Sequence, residues 1–331
     1  MKIKTKLNKI ALATSIVVAG LTTSNMVLAQ TCSGVLITSD CQDLSYTGPG
    51  GPSSSVSINS GVTVSPSGYG FAVSLGDGST NPNLNSFTNN GTISGLSGLS
   101  VGSYATVGVI TNNGSMSVSV SNDPVYNNGT ITTFTNSNSG TIGGGAYWDS
   151  VYNNTNGVIT TLTNTGTINS SNGYAGIGNN GTITTLNNGQ GRNNPLVYTG
   201  LLPTNYNIII NSPSNYGILM GTDTYINSLS GTMNFGISGT STIASNTTYM
   251  DVLQGNFTTS NFTISSPTFN GLTFSLAADN SNPGSYNLVV GGGGVAPEMN
   301  ASQIPQVGLL LGCLFFLMAR KKENSEPMLT A

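Results

Sequence analysis

A short phrase of sequence recurs along the chain every 26 residues. Val-Tyr-Asn-Asn starts at Val125 and again at Val151, and Ile-Gly-Asn-Asn starts at Ile177. Each unit continues with Gly-Thr-Ile-Thr-Thr-Phe or a close variant of it. Fixed periods of about 20 to 50 residues are typical of repeat proteins, in which each unit buries its inner face against its neighbours. The repeat therefore predicts an all-β fold, a right-handed parallel β-helix built of stacked coils.

The repeat also predicts which side chains point into the stack. Its strand-like runs alternate polar and apolar residues, as in Thr-Ile-Thr, so that one face is apolar. We expect residues at equivalent positions to stack inward: Ile131, Ile159 and Ile183; Phe134, Leu162 and Leu186; and Ile142 with Ile168. The asparagines before each glycine are expected to take left-handed conformations at the corners, and their amides to hydrogen-bond from coil to coil.

The Asn-Gly pairs leave a second fold open. Asn-Gly between apolar runs is also the strongest short signal for a β-hairpin. A meander of hairpins, forming a sandwich or a barrel, is therefore the competing interpretation. The recurrence of whole units favours the solenoid, because one coil cannot bury its inner face alone.

Charge is scarce and unevenly distributed. Only 6% of residues are charged, and seven of the eight basic residues lie in the terminal segments. Between residues 30 and 319, Arg192 is the only cation, against nine carboxylates. Nucleic acid is not an expected partner, since phosphate binding needs clustered Lys and Arg. The chain also has no histidine, which excludes His-dependent catalytic triads and nearly all zinc sites.

The first 29 residues have the pattern of a secretory signal peptide. Lysines precede an apolar stretch from Ile10 to Leu21, and Val27-Leu28-Ala29 forms a small-residue cleavage site. The apolar stretch is too short to favour a membrane anchor. We expect export into an oxidising compartment, where Cys32 and Cys41 form a disulfide that contributes about 2–3 kcal/mol.

The C-terminus combines three features. Pro297-Glu298 is followed by an apolar segment over residues 307–319 and then by Arg320, Lys321 and Lys322. As a helix, this apolar segment reaches about 20 Å, short of the roughly 30 Å hydrocarbon core. A short membrane anchor with a basic cytoplasmic end is one interpretation. The combination also resembles the PEP-CTERM tails that exosortases handle, and this resemblance implies sorting to the surface of a Gram-negative bacterium.

The region after the repeats resembles the passenger proteins of autotransporters. The resemblance rests on Asn-Tyr-Asn-Ile-Ile-Ile-Asn-Ser from Asn205, Met-Asn-Phe-Gly-Ile-Ser from Met233, Tyr-Met-Asp-Val-Leu-Gln-Gly from Tyr249 and Tyr-Asn-Leu-Val-Val from Tyr286. It implies a β-helical passenger that ends in a less regular capping section. Only about 40 residues follow, fewer than a translocating barrel of even eight strands needs, so we expect a different anchoring device.

These patterns together divide the chain into seven segments. They are a signal peptide (1–29), an N-terminal cap with the disulfide (30–49), β-helix repeats (50–195), a β-helical capping section (196–290), a linker with the Pro-Glu motif (291–306), a short transmembrane helix (307–319) and a basic cytoplasmic tail (320–331). The order predicts a protein of the cell envelope that is anchored in a membrane at least transiently.

Two carboxylates occupy the same place in successive units. Asp123 and Asp149 each stand two residues before the repeated Val. Stacked one strand apart, they would repel each other unless they were exposed or bridged by a cation. We interpret them as solvated corner residues, with a weak Ca²⁺ site as the alternative. The next unit has Ala175 at this position, so the pair does not extend.

Tyr126 and Tyr152 also recur in register, with Tyr147 and Trp148 close by in sequence. Such a row offers either a strip for stacking carbohydrate or ordinary packing on the face of a rod. No cofactor other than the weak Ca²⁺ candidate is expected.

The expected function follows from these patterns and resemblances. We predict an exported, non-enzymatic structural or adhesin-like protein of the cell surface. Its expected partners are the export and exosortase-like sorting machinery, together with surface glycans or further copies of itself. The alternative is a polysaccharide-binding or polysaccharide-degrading β-helix, whose acid and base would be carboxylates.

Overall fold

The computed structural model describes residues 31–32, 35–47, 54–76, 82–119, 122–143, 147–169, 173–223 and 228–292. Within these ranges the chain forms a parallel β-solenoid, in which each turn contributes strands to sheets that run along the stack. The described ranges contain no helix long and apolar enough to cross a membrane. The predicted signal peptide, the Pro297-Glu298 motif, the 307–319 helix and the Arg320–Lys322 cluster lie outside the described residues. The right-handed sense of the coil stays a prediction.

Three sheets make up the walls of the solenoid. The first sheet has ten strands: Leu36–Ile37, Ser55–Ile58, Asn83–Asn89, Thr106–Asn112, Thr130–Asn136, Val158–Asn164, Thr182–Asn188, Asn205–Ile208, Met233–Ile237 and Phe262–Thr263. The second sheet has six: Cys41–Gln42, Thr63–Ser65, Thr92–Gly95, Ser115–Val118, Thr141–Gly143 and Thr167–Ile168. The third sheet has twelve: Leu44–Tyr46, Val73–Leu75, Leu99–Val101, Val125–Asn127, Val151–Asn153, Ile177–Asn179, Leu196–Gly200, Leu219–Gly221, Thr247–Gly255, Leu272–Ala278, Tyr286–Val290 and Thr268–Phe269.

The repeats pair in parallel, in the register that the 26-residue phrase predicts. Val125 lies opposite Val151, which in turn lies opposite Ile177. The three predicted inward stacks are confirmed, because their members are paired across neighbouring strands and are at most 2% exposed. The hairpin meander is wrong for the repeat region: Asn-Gly here turns the chain into the next sheet of the coil rather than back along the same one.

Buried asparagines form two ladders along the corners of the coil. The first consists of Asn89, Asn112, Asn136, Asn164 and Asn188, and the second of Asn127, Asn153 and Asn179. Within each ladder the amide nitrogen of every member except the last donates to the amide oxygen of the next, at 2.7 to 3.4 Å. Most of these nitrogens also donate to a backbone carbonyl of that turn, as Asn136 does to Thr167 at 3.2 Å. Amide ladders are therefore present, but most of their members lie one residue before the predicted asparagines that directly precede glycine; among the latter, Asn113 donates to Asn90 at 2.9 Å.

The predicted left-handed conformation of the corner asparagines is wrong. Among the described residues, the non-glycine residues with positive φ are Asp43, Asn246, Asp251 and Asn270, and none belongs to a ladder. The ladder side chains make the corner instead, since the Asn127 oxygen accepts a hydrogen bond from the backbone nitrogen two residues ahead, at 3.2 Å. This local bond replaces the backbone turn that a left-handed residue would supply.

The second sheet ends at Thr167–Ile168, although the other two sheets continue. Asn164 pairs with Asn188, and four residues beyond them lie Ile168 and Arg192. Arg192 is exposed, and a guanidinium without a partner is costly to bury, so it does not continue the buried Ile142–Ile168 stack. The side chain of Gln190 makes the hydrogen bonds that a further strand of this sheet would make to Ile168. Its oxygen accepts from Ile168 N at 2.7 Å, and its nitrogen donates to Ile168 O at 3.1 Å.

The two ends of the solenoid are closed differently. At the N-terminal end Cys32 and Cys41 form a disulfide, and both residues are nearly buried. At the other end parallel stacking continues to Thr247–Gly255, after which Tyr286–Val290 pairs antiparallel to that strand. Leu272–Ala278 extends this antiparallel edge. The antiparallel strands cover the last parallel turn, so the apolar core does not open directly to solvent.

We expect Asn136→Ala to lower the free energy of unfolding by about 2–5 kcal/mol, because it removes the partner of two other buried amides and leaves a small cavity. Urea denaturation followed by circular dichroism measures this loss. The control is Asn193→Ala at an exposed position, which should change stability by less than about 0.5 kcal/mol. Equal losses in the two variants would show that the ladder contributes nothing specific.

Candidate functional site

An aromatic row lies on the outer face of the third sheet. Tyr126 pairs directly with Tyr152, and their ring centroids are 5.9 Å apart. The Phe71 ring lies 5.9 Å from Tyr126 on the other side, which the sequence pattern did not predict. Phe71 can reach Tyr126 because the residue paired with Tyr126 on the preceding turn is the small Ser100. The three rings form a continuous strip, which we call the aromatic row.

The hydroxyl groups of the row are held by asparagines from the following turn. Asn154 donates to the Tyr126 hydroxyl at 3.0 Å, and Asn180 donates to the Tyr152 hydroxyl at 2.8 Å. Both tyrosines are partly exposed, so their rings remain accessible from solvent. Each tyrosine of the row is therefore held both by its strand and by the hydrogen bond to its hydroxyl, independently of any ligand.

Tyr147 and Trp148 stand apart from the row. They are 60% and 42% exposed, and within the described part of the chain neither forms a ring contact with Tyr126 or Tyr152. The structure thus places the two tyrosines of the predicted strip together, but it does not join Tyr147 or Trp148 to them.

The two predicted carboxylates lie beside the row, in the corner that precedes it. The pairing of Val125 with Val151 places Asp123 and Asp149 on neighbouring turns. They are only 5% and 4% exposed, so the interpretation as solvated corner residues is wrong. The reason lies in the next turn, where Gly178 leaves room for the Asp149 carboxylate: a Cβ added at Gly178 would overlap it.

Burial sets the protonation of this pair. It raises the pKa of Asp123 to about 8, an effect that the negative charge of Asp149 increases. Burial also raises the pKa of Asp149, to about 6, although the backbone N–H of Ala175 donates to its oxygen at 2.8 Å and opposes the shift. At neutral pH Asp123 is therefore mainly a neutral acid and Asp149 mainly a carboxylate. One oxygen of Asp123 is buried without a hydrogen-bond partner in the described structure.

The pair supplies few ligands for a metal. Ca²⁺ takes about six to eight oxygen ligands. Among the described residues no third acidic, cysteine or histidine side chain joins the two aspartates. The weak Ca²⁺ site stays a prediction.

No known protein family, no curated protein and no solved structure matches this chain.

We expect the free energy of unfolding to fall as the pH rises from about 4 to about 8. The folded state holds a proton on Asp123 that the unfolded state, with an ordinary pKa of 3.8, has already released. The stabilisation is thus complete below the unfolded pKa and is lost as the pH passes through the folded pKa. Asp123→Asn should remove most of this dependence, which is on the order of a few kcal/mol.

Urea denaturation at pH 5 and pH 8 measures the effect, with the exposed Asp223→Asn as the control that keeps the wild-type dependence. A Ca²⁺ ion between the two carboxylates would bind their ionised forms and restore stability at pH 8. Repeating the urea denaturation at pH 8 with added Ca²⁺ distinguishes a metal site from a pair in which only Asp123 is protonated.

Proposed function

We propose that this chain is an exported, non-enzymatic protein of the bacterial cell surface, in which the solenoid is a structural and adhesive scaffold. The N-terminal sequence pattern supports export, and the C-terminal pattern supports sorting or anchoring in the envelope. The fold is compatible with this role, because its core and its amide ladders run continuously along the stack. A solenoid of this kind presents long, regular faces to a partner.

The observation that carries the adhesive part of the proposal is the aromatic row. Sugar rings have apolar faces that stack on aromatic side chains, while their hydroxyls need hydrogen-bonding groups nearby. The row offers three rings in succession, each 5.9 Å from the next. The asparagine amides that hold the tyrosine hydroxyls lie at the same edge. We infer that the row contacts the sugar units of a surface glycan.

We expect Tyr126→Ala and Tyr152→Ala each to weaken binding to a glycan identified on an array by about tenfold, since each variant removes one stacking face. Tyr→Phe at either position should retain most of the affinity, because the ring remains. Tyr104→Ala is the matched control, as Tyr104 is 60% exposed and belongs to no ring contact in the described structure. An unchanged affinity in both alanine variants would remove the row from the binding surface.

One observation favours the alternative of a polysaccharide-degrading enzyme. The two aspartates have pKa values raised to about 8 and about 6, and pairs pushed apart in this way serve as acid and base in glycosidases. Their burial argues against the alternative, because a substrate needs access to both carboxyl groups. Release of products from the bound glycan, abolished in Asp123→Asn, would favour the enzyme over the adhesin.

The sorting part of the proposal has its own test. We expect the mature protein to begin near Gln30 and to reach the outer surface of the cell, with its C-terminus cleaved close to Pro297-Glu298. Fractionation of the native host, followed by intact mass measurement, checks both ends. A protein that ends at Ala331 and stays in the inner membrane would contradict sorting without affecting the adhesive surface.

A further inference from the structure

A polar cleft opens at the edge where the second sheet ends. Thr165 and Thr167 line one side, the 189–194 segment lines the other, and Ser214 and Asn215 close it from the next turn. Its volume is about 400 Å³, within the range of pockets that hold small molecules. The cleft exists because Gln190 ends the sheet, so no further strand covers the edge of Thr167–Ile168.

Arg192 gives the cleft its charge. It is the only cation among the described residues, its side chain is exposed, and no described carboxylate forms an ion pair with it. Arg192 is itself one of the residues that line the cleft, so its guanidinium charge is available to a ligand there.

The loop that carries Arg192 is held at both ends. Gln190 donates to the backbone oxygen of Asn194 at 2.9 Å, and Asn194 donates from its side chain to Asn169 at 2.5 Å. The backbone nitrogen of Asn194 also donates to Gly191 O at 3.1 Å. A loop fixed in this way loses little conformational entropy when a ligand binds.

We propose that this cleft binds the carboxylate of an acidic sugar, a uronate unit of a polysaccharide. A guanidinium binds a carboxylate through two parallel hydrogen bonds, and a single arginine matches a ligand with one charge per unit. Besides Arg192, the lining consists of threonine, serine, asparagine and glutamine side chains with glycines, and it includes no apolar side chain. Such a lining fits sugar hydroxyls and does not fit the apolar side chains of an acidic peptide.

Arg192 is the only cation, against nine carboxylates, between residues 30 and 319, so the cleft offers a single positive charge to a ligand. The cleft lies at the end of the second sheet and the aromatic row on the third, so this inference does not depend on stacking at the row.

Isothermal titration of the full chain with trigalacturonic acid, and with its fully methyl-esterified form as the uncharged match, tests the proposal. We expect the acid to bind about tenfold or more tightly than the ester, and Arg192→Gln to remove that difference. Arg192 is exposed, so an unchanged urea midpoint will show that the variant is folded. Tyr126→Ala, which lies outside the cleft, should bind the acid as the wild type does.

Four results would overturn the assignment. Three are the absence of binding to the acid, equal binding of the acid and the ester, and undiminished binding in Arg192→Gln; the fourth is tighter binding of phosphate. Inorganic phosphate titrated in parallel must bind more weakly than the acid, since tighter phosphate binding would make this an anion site without preference for uronates.

Discussion

The buried amide ladder is the interaction on which the rest of the structure depends. Arg192 is the only cation among the described residues, so ion pairs do not fix the register of the described turns, and apolar stacking alone tolerates sliding. Each ladder asparagine needs one donor partner and one acceptor partner on neighbouring turns, and it is fully buried. A shift by one residue would leave these amides buried without partners, at a cost of about 1–3 kcal/mol each. Register is thus specified by polar groups inside the coil.

The sequence was sufficient to predict the elements that repeat without change. Ile131, Ile159 and Ile183 share one position in successive units, and a buried stack is the only arrangement that gives all three the same surroundings. The conformation of the corners was not predictable in this way. An Asn-Asn-Gly corner is compatible with a left-handed second asparagine and with a first asparagine whose side chain accepts from the glycine N–H, and the burial of the Asn127 amide favours the second arrangement.

In the candidate site, too, the sequence predicted which residues are neighbours but not how deeply they are buried. The spacing of Asp123 and Asp149 placed them on neighbouring turns, but it gave no information about their depth. Burial of Asp149 depends on the missing side chain at Gly178 in the following turn, a contact between positions 29 residues apart. The place of Phe71 in the aromatic row depends likewise on the small Ser100 between it and Tyr126. Contacts of this kind depend on pairs of residues rather than on any one motif.

Departures from the repeat are therefore more informative about function than the repeat itself. The second sheet ends at Thr167–Ile168, where the side chain of Gln190 hydrogen-bonds to both backbone groups of Ile168 in place of a further strand. The segment that follows Gln190 places Arg192, the only cation among the described residues, in the lining of the polar cleft at this edge. Gly178, which interrupts the tyrosines, both ends the aromatic row and admits Asp149 to its buried position. A strictly regular solenoid would have uniform faces; among the described residues, the aromatic row ends and the polar cleft begins where the pattern is broken.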